Sequence, residues 1–459
     1  MKFGLLYELQ LPRPWTEESE QRLYNEALEE VRIADRLGYD YIWANEHHFL
    51  EEYSHCSSPE IFLAACAAIT KRIRIGHAVV LSPPAYNPPA RVAERIASLD
   101  LVSRGRVDWG TGESNTRTEI EGFGINFDHK KQMWAEATEQ SANMMAMTPY
   151  PGFNGEFFSM PARNVVPKPV QKPHPPLWLA CSRRETIHAA ARAGMGALAF
   201  AFVDPKDAGK WAQEYYDIIK SDECVPMGHT VNANVAMVTG FSCHENEDEA
   251  IRRGLEAFQF FGYVLGHYYT HGKHKPGRTS IWDRFEEARD SLPNVARGNG
   301  IGTPAQLTER IEQYEAAGVD QVILLQQAGR TPHRHIIDAI ELFARSVMPR
   351  FKADEAARER KKQEELAPHI AAALARKPYM KPLDDDEIPF VQAYGRKILA
   401  EPTPGEAAQY SLGASGGFQV LMEDPLEKKE KPIDRSHAQI LPESEGKKNL
   451  KRDAAIKSK

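Results

Sequence analysis

The chain has 459 residues, 42% of them hydrophobic and 26% charged, and a formal net charge of −7. That balance suits a soluble, enzyme-sized protein with a large core; it gives no support to nucleic-acid or anionic-membrane binding, and no apolar run reaches the roughly 18–20 residues of a membrane span. Five scattered cysteines (Cys56, Cys66, Cys181, Cys224 and Cys243) form no C-x-x-C pair, which argues against a disulfide framework or a zinc site and for a reducing cytoplasm.

The opening M-K-F-G-L-L-Y-E turns charged too soon for a signal peptide and reads as a strand over residues 2–7. A helix follows, with Ser19 as N-cap, apolar residues from Leu23 to Leu37 at helical spacing, and Gly38 as its stop. Strands are predicted at 40–44, 73–81 and 106–111, with helices at 59–70 and 89–102 between them. A helix at 131–147 and a proline-rich loop come next, then strand 177–181, helix 185–193, strand 197–202 and helix 204–219. Strand 231–241, helix 247–265, an irregular insertion, helix 304–317, strand 321–325 and helix 334–348 complete the series. Eight strands, each followed by a helix, predict an α/β fold, a closed (β/α)8 TIM barrel with insertions. A doubly wound open sheet is disfavoured, because no G-x-G-x-x-G follows the first strand.

The character changes beyond Phe351. Residues 352–459 are charged and lysine-rich without an apolar stripe, and are expected to form an extended or disordered tail after a catalytic domain at 1–351. A short cluster, I-P-F-V-Q-A-Y, is the one candidate for docking.

Barrel chemistry sits at the C-terminal ends of the strands. N-E-H-H-F-L (Asn45 to Leu50) lies there after strand two. Adjacent residues of extended chain point to opposite sides, so His47 and His48 are not expected to face one ligand. Chelation is disfavoured by the H-H spacing, and hydrolysis by the lack of a G-x-S-x-G elbow or an orienting Asp. After strand four, W-G-T-G-E-S-N-T-R offers Gly110 and Gly112 for close backbone approach to a flat ligand or for a tight turn. After strand five, A-C-S-R-R-E-T opens a helix with Ser182 as N-cap, an anion site or an ordinary cap. G-H-Y-Y-T-H-G-K-H (266–274) reads as a surface loop or part of a lid.

Together E-H-H-F, R-I-G-H-A-V-V-L, P-A-R-V-A-E-R-I-A-S-L-D-L-V-S-R-G-R, E-G-F-G-I, P-P-L-W-L-A-C-S and G-T-P-A-Q-L-T-E-R resemble the bacterial luciferase-like flavin-dependent monooxygenases, over nearly all of residues 1–351. The resemblance implies a (β/α)8 barrel that binds reduced FMN and inserts one oxygen atom from O2 into a small organic substrate. It also implies a separate NAD(P)H flavin reductase and a homodimer. His47 then matches the acid–base histidine and Glu46 the neighbouring acid. Ala78 and Val79 match a segment where a non-proline cis peptide backs the flavin ring, and Ser182 matches a phosphate-binding serine. Lys131 falls where the luciferase catalytic subunit has a phosphate-binding arginine, keeping the charge without the bidentate fork. Glu113, grouped with the cofactor residues by position, replaces a second such arginine, and Gly112 replaces a reactive cysteine. Arg183 or Arg184 is then left to supply the missing charge, and light emission is disfavoured. An imidazole of ordinary pKa, near ~6.5, would exchange protons at neutral pH. A deazaflavin-dependent hydride-transfer enzyme and a non-catalytic flavin-binding subunit are the alternatives.

Overall fold

The computed structural model describes residues 1–200, 202–295 and 299–391. Its centre is a barrel of eight strands: β1 Lys2–Tyr7, β2 Tyr41–Ala44, β3 Arg74–His77, β4 Val107–Gly112, β5 Leu177–Cys181, β6 Gly196–Ala199, β7 Val235–Gly240 and β8 Gln321–Leu325. All neighbours pair in parallel, from Leu5 opposite Ile42 to Leu5 opposite Leu324. The β3–β4 pairing, Ile75 opposite Val107, closes the ring. The expected (β/α)8 architecture is the one observed.

Around the barrel run α1 Ser19–Leu37, α2 Pro59–Ile69, α3 Pro89–Ser103, α4 Arg117–Gly122, α5 Lys130–Ala146, α6 Arg184–Arg192 and α7 Pro205–Ile219. The series continues with α8 Glu247–Gly266, α9 Ile281–Ala288, α10 Pro304–Ala316, α11 His333–Ser346, α12 Met348–Lys352 and α13 Glu355–Arg376. α4 and α9 are among the helices that the sequence does not predict. At six and eight residues they are too short to show a helical period.

Two-residue alternation sorts the strand side chains. Phe3, Leu5 and Tyr7 face the surrounding helices, whereas Gly4 and Leu6 face the lumen. There Trp43 and Trp178 meet edge to face, with ring centroids 5.4 Å apart. The lumen is a packed core. A Cβ on Gly76 would lie 2.2 Å from Trp43, and one on Gly196 2.3 Å from Trp178, so these strands carry glycine to make room for indole. Gly110 has a similar reason: its Cβ would meet the His77 carbonyl at 2.0 Å. Barrel packing, not a ligand, requires that glycine.

The expected tail needs correction between Lys352 and Pro382. α13 buries Leu366 and Ala373 and docks on the N-terminal end of the barrel. Lys2 pairs with Glu359 at 3.2 Å, Arg358 with Glu315 at 2.9 Å and Lys362 with Asp320 at 2.7 Å. Only two apolar side chains are buried, so no stripe shows in the sequence; the charges that resembled a solvated face have partners on the barrel. Residues 392–459, the rest of that expectation, lie outside the described residues, as do Gln392, Ala393 and Tyr394 of the docking cluster.

Candidate active site

A cavity of about 680 Å³ opens at the C-terminal ends of the strands. Its back wall is Ala78, Val79, Leu81, Leu179 and Ala180. Phe200, Phe202, Phe261 and Leu265 line another part, and Tyr269 and Thr270 bring in the short π-helix His267–His271. The histidine-rich stretch therefore lines the cavity through Gly266, Tyr269 and Thr270, while its histidines do not.

His47 lines the cavity and His48 does not. The His48 ring bonds Glu46 at 3.0 Å and packs against Tyr86 and Phe123, which also touch each other. Glu46 lines the cavity too, but its oxygens are committed: they also accept from Asn87 Nδ2 at 2.9 Å and Leu81 N at 2.8 Å. It ties the β2 end to the turn after β3.

The His47 imidazole is bracketed by carboxylates. Nδ1 is 3.1 Å from Glu119 Oε1, and Nε2 is 3.7 Å from Glu8 Oε2. Glu119 also accepts from His48 N at 2.9 Å, from the Ser114 hydroxyl at 2.8 Å and from the Thr116 hydroxyl. Ser114 reaches it from the left-handed region, at φ +62°. Burial alone would push Glu119 up; the His47 charge and these donors outweigh it and hold the carboxyl at about 2. For His47, burial pulls the pKa down, but Glu119, Glu8 and Glu46 prevail and raise it to about 9. The ordinary imidazole expected from the sequence is thus corrected: at neutral pH this ring is a cation. An acidic residue does orient it, a glutamate 72 positions downstream rather than a nearby aspartate.

At the opposite rim the polypeptide turns into α6. Arg183, not Ser182, occupies the N-cap position, and its N–H donates to the Thr186 hydroxyl at 3.3 Å. The expected Ser182 cap is displaced by one residue because Thr186 makes that bond. Ser182 and Arg183 are exposed and line the cavity. Arg184 is turned onto α7, where its Nε donates to Glu214 at 2.6 Å, and it does not line the cavity. Lys131 is exposed at the rim. Its neighbour Lys130 is buried; its Nζ bonds Ser114 O and Asn115 Oδ1, both at 2.8 Å, and pairs with Glu113 at 3.2 Å. Glu113 faces the cavity with that cation behind it.

The Luciferase-like monooxygenase family profile matches residues 1–321. The chain belongs to that family, oxidoreductases that incorporate oxygen. The oxygenase component of the flavin-dependent trigonelline monooxygenase of Acinetobacter baylyi is 25% identical over 359 residues, covering 76% of this chain and 96% of that protein. Limonene 1,2-monooxygenase of Rhodococcus erythropolis is 28% identical over 337 residues, 71% of this chain and 81% of that one. Among solved structures, the monooxygenase RslO1 of Streptomyces bottropensis superposes with a TM-score of 0.63 at 25% identity, covering 76% of this chain and all of that one.

Within this luciferase-like monooxygenase the Ala78–Val79 bond is trans. The cis bonds among the described residues all precede proline. A non-proline cis bond costs about 2.5–4 kcal/mol, and here the turn closes without one: Ala78 N donates to Ala44 O at 2.8 Å. Sequence reasoning also missed Glu119 and Glu8. T-R-T-E (Thr116 to Glu119) is a capping-box pattern directly after β4, a signal that would have found α4. Glu8 continues the inward series Gly4, Leu6 by two-residue spacing.

Proposed function

We propose that this chain is the oxygenase of a two-component system. It takes reduced FMN from a separate NAD(P)H flavin reductase and uses O2 to oxygenate a small, largely apolar organic substrate. One observation carries the reading: a cationic histidine, held by carboxylates, on the wall of a 680 Å³ cavity whose other walls are mostly apolar.

The donors present fit the cofactor. The volume lies in the range of small-ligand sites, about 300–1,000 Å³. Lys131, Arg183, the Ser182 hydroxyl and the first N–H groups of α6 would take the phosphate. Ala78, Val79 and Gly112 leave a wall of small groups for a flat ring; a Cβ on Gly112 would already meet Val79 at 2.8 Å. Glu46 and Arg184, grouped with the cofactor residues by resemblance, have structural partners instead, and Glu113 is held by Lys130.

Bound reduced flavin supplies the electrons that activate O2. The protein's part is to exclude water and to place a proton. Phe200, Phe202, Phe261 and Leu265 keep the cavity wall apolar. His47 carries its proton into the reaction as a general acid and takes one back as the base. The trigonelline relative is named an oxygenase component, which supports a reductase partner. A second copy of the chain is the other partner we infer; exposed Ile61, Leu101 and Val102 on α2 and α3 offer apolar surface for it.

Anaerobic titration with reduced FMN and with a reduced deazaflavin tests the cofactor. Turnover with a flavin reductase and NADH, over a panel of aldehydes, ketones and terpenes, tests the reaction. Binding of the deazaflavin alone, with hydride transfer and no oxygen in any product, would overturn the reading.

A further inference from the structure

Glu8 takes no part in lining the cavity, yet it is 1% exposed and stands directly behind its histidine. Its position follows from β1. Gly4 and Leu6 face the lumen, so the next inward residue, Glu8, emerges where the lumen meets the cavity. Its neighbour across the β1–β2 pairing is Asn45, whose Nδ2 donates to Glu8 Oε1. The Tyr53 hydroxyl donates to the same oxygen at 3.2 Å.

The other oxygen, Oε2, is buried without a hydrogen-bond partner and lies 3.7 Å from His47 Nε2. A buried carboxylate oxygen with no donor is costly, and a protonated carboxyl there is less so; once the ring has given up its Nε2 proton, the O–H also has an imidazole lone pair to point at. The gap is about half an ångström beyond hydrogen-bond reach.

We propose that Glu8 is the proton store of His47, a buried carboxyl group that reprotonates the imidazole each time it has delivered a proton to the cavity. The proposal rests on the oxygenase reading above. After His47 has lost its proton from Nε2, the O–H bond of Glu8 breaks and an N–H bond forms at Nε2. The bonding pair stays on Oε2. The Glu8 carboxylate, held by Asn45 and Tyr53 and closed to solvent, recovers its proton through the ring: when product leaves, the Nε2 proton returns to Oε2 and the imidazole takes another from water in the cavity. Glu8 touches neither substrate nor cofactor and acts through His47; it is a positioning residue for the proton.

Electrostatics agree with the geometry. Burial pushes Glu8 up, His47 and Tyr53 pull it back, and Glu119 adds to the rise, leaving it at about 7. The groups around the pair come from several elements: Asn45 and Glu46 after β2, Tyr53 and Cys56 in the following loop, Glu119 on α4 and Tyr269 on the π-helix. Tyr53 and Cys56 are held neutral by burial, and the partly exposed Tyr269 by desolvation of its hydroxyl with Glu119 and Glu8 beside it, so the pH response near 7 is assigned to Glu8.

The test uses the full-length protein, labelled with nitrogen-15 in histidine, without flavin. In the wild type the His47 ring signals should shift in two steps, with inflections near 7 and near 9. In Glu8→Gln, which keeps the shape but has no proton to give, the lower step should vanish. A single wild-type step, or an unchanged lower step in Glu8→Gln, overturns the proposal; the wild-type measurement decides even if the variant does not fold. Kinetics with reduced FMN and O2 add a second arm. At pH 6, where wild-type Glu8 holds its proton and His47 is charged with or without Glu8, the first turnover of Glu8→Gln should keep the wild-type rate while later turnovers slow by about 10-fold or more. Equal slowing of the first and later turnovers would make Glu8 a mere support of the site and overturn the proposal. Failure of reduced FMN to bind counts against the assigned reaction, and the flavin-free titration still decides the Glu8–His47 coupling.

Discussion

Both ends of this barrel are crowded with charge, and they use it in opposite ways. At the N-terminal end the carboxylates that tie α13 down are met by cations: Glu359 by Lys2, Glu315 by Arg358 and Asp320 by Lys362. Those side chains keep 15–37% of their exposure, so water screens them and each pair is worth little, roughly 0–1 kcal/mol. At the C-terminal end Glu8, Glu46 and Glu119 are all buried and crowd about the His47 ring. There the charges are unequal in number and buried, so the protonation of His47, Glu8 and Glu119 shifts far from its ordinary range. Paired charge in half-wet surroundings glues one helix to the barrel; unpaired charge in a buried mouth stores protons. Perturbed titration in a cavity is the mark of chemistry rather than of adhesion.

The largest break in this contrast should come from His47→Ala. Oxygenation is expected to fall by about 10²–10⁴ while FMN affinity stays within a few-fold. Titrating flavin and timing single turnovers separates the two, and lost binding with normal turnover at saturation would remove His47 from its role.

Glu119→Gln should come next. It deletes the charge that does most to raise the imidazole, so the His47 pKa should fall from about 9 toward its ordinary range. Activity should peak at lower pH than in the wild type; a pH profile with an unmoved limb would show that another group sets it. The phosphate rim is third. Ser182→Ala and Lys131→Ala should each weaken FMN by about 10–100-fold, at ~1.5–3 kcal/mol per charged hydrogen bond. Riboflavin affinity should barely change. Equal losses for both ligands would place the phosphate elsewhere.

Stability gives the smaller effects. His47 has a raised pKa, so its stabilisation is complete below about pH 6.5 and fades as pH climbs through about 9. Glu119 is held low; its share is present above about 4.5 and lost as pH falls through about 2. Relative to a His47→Gln, Glu119→Gln double variant, the wild type should therefore gain least above pH 9, which urea unfolding at pH 6 and 9 would measure. At the other end, stopping the chain at Phe351 should lower the melting temperature on the order of 5 °C through loss of α13, whereas stopping at Pro382 should not. An unchanged melting temperature at Phe351 would mean that the ion pairs at this end hold nothing together.

The sequence by itself determined the fold class and the register of the lumen. Eight strand–helix units force a parallel sheet, and strict alternation decides which strand residues face inward, Glu8 included. It also marked His47, because polar groups at a strand end are legible locally. What only the tertiary structure decided is who meets whom. Glu119 lies 72 residues beyond His47, on a helix too short to show a period, and only barrel closure between β3 and β4 carries it to the ring. Arg183 and Arg184 are neighbours in the chain, yet one faces the cavity and the other Glu214, a choice made by the helix they start. The docking of α13 was hidden for the same reason: an ion pair is a relation between distant residues, and a charge along a sequence looks the same whether its partner is water or a carboxylate.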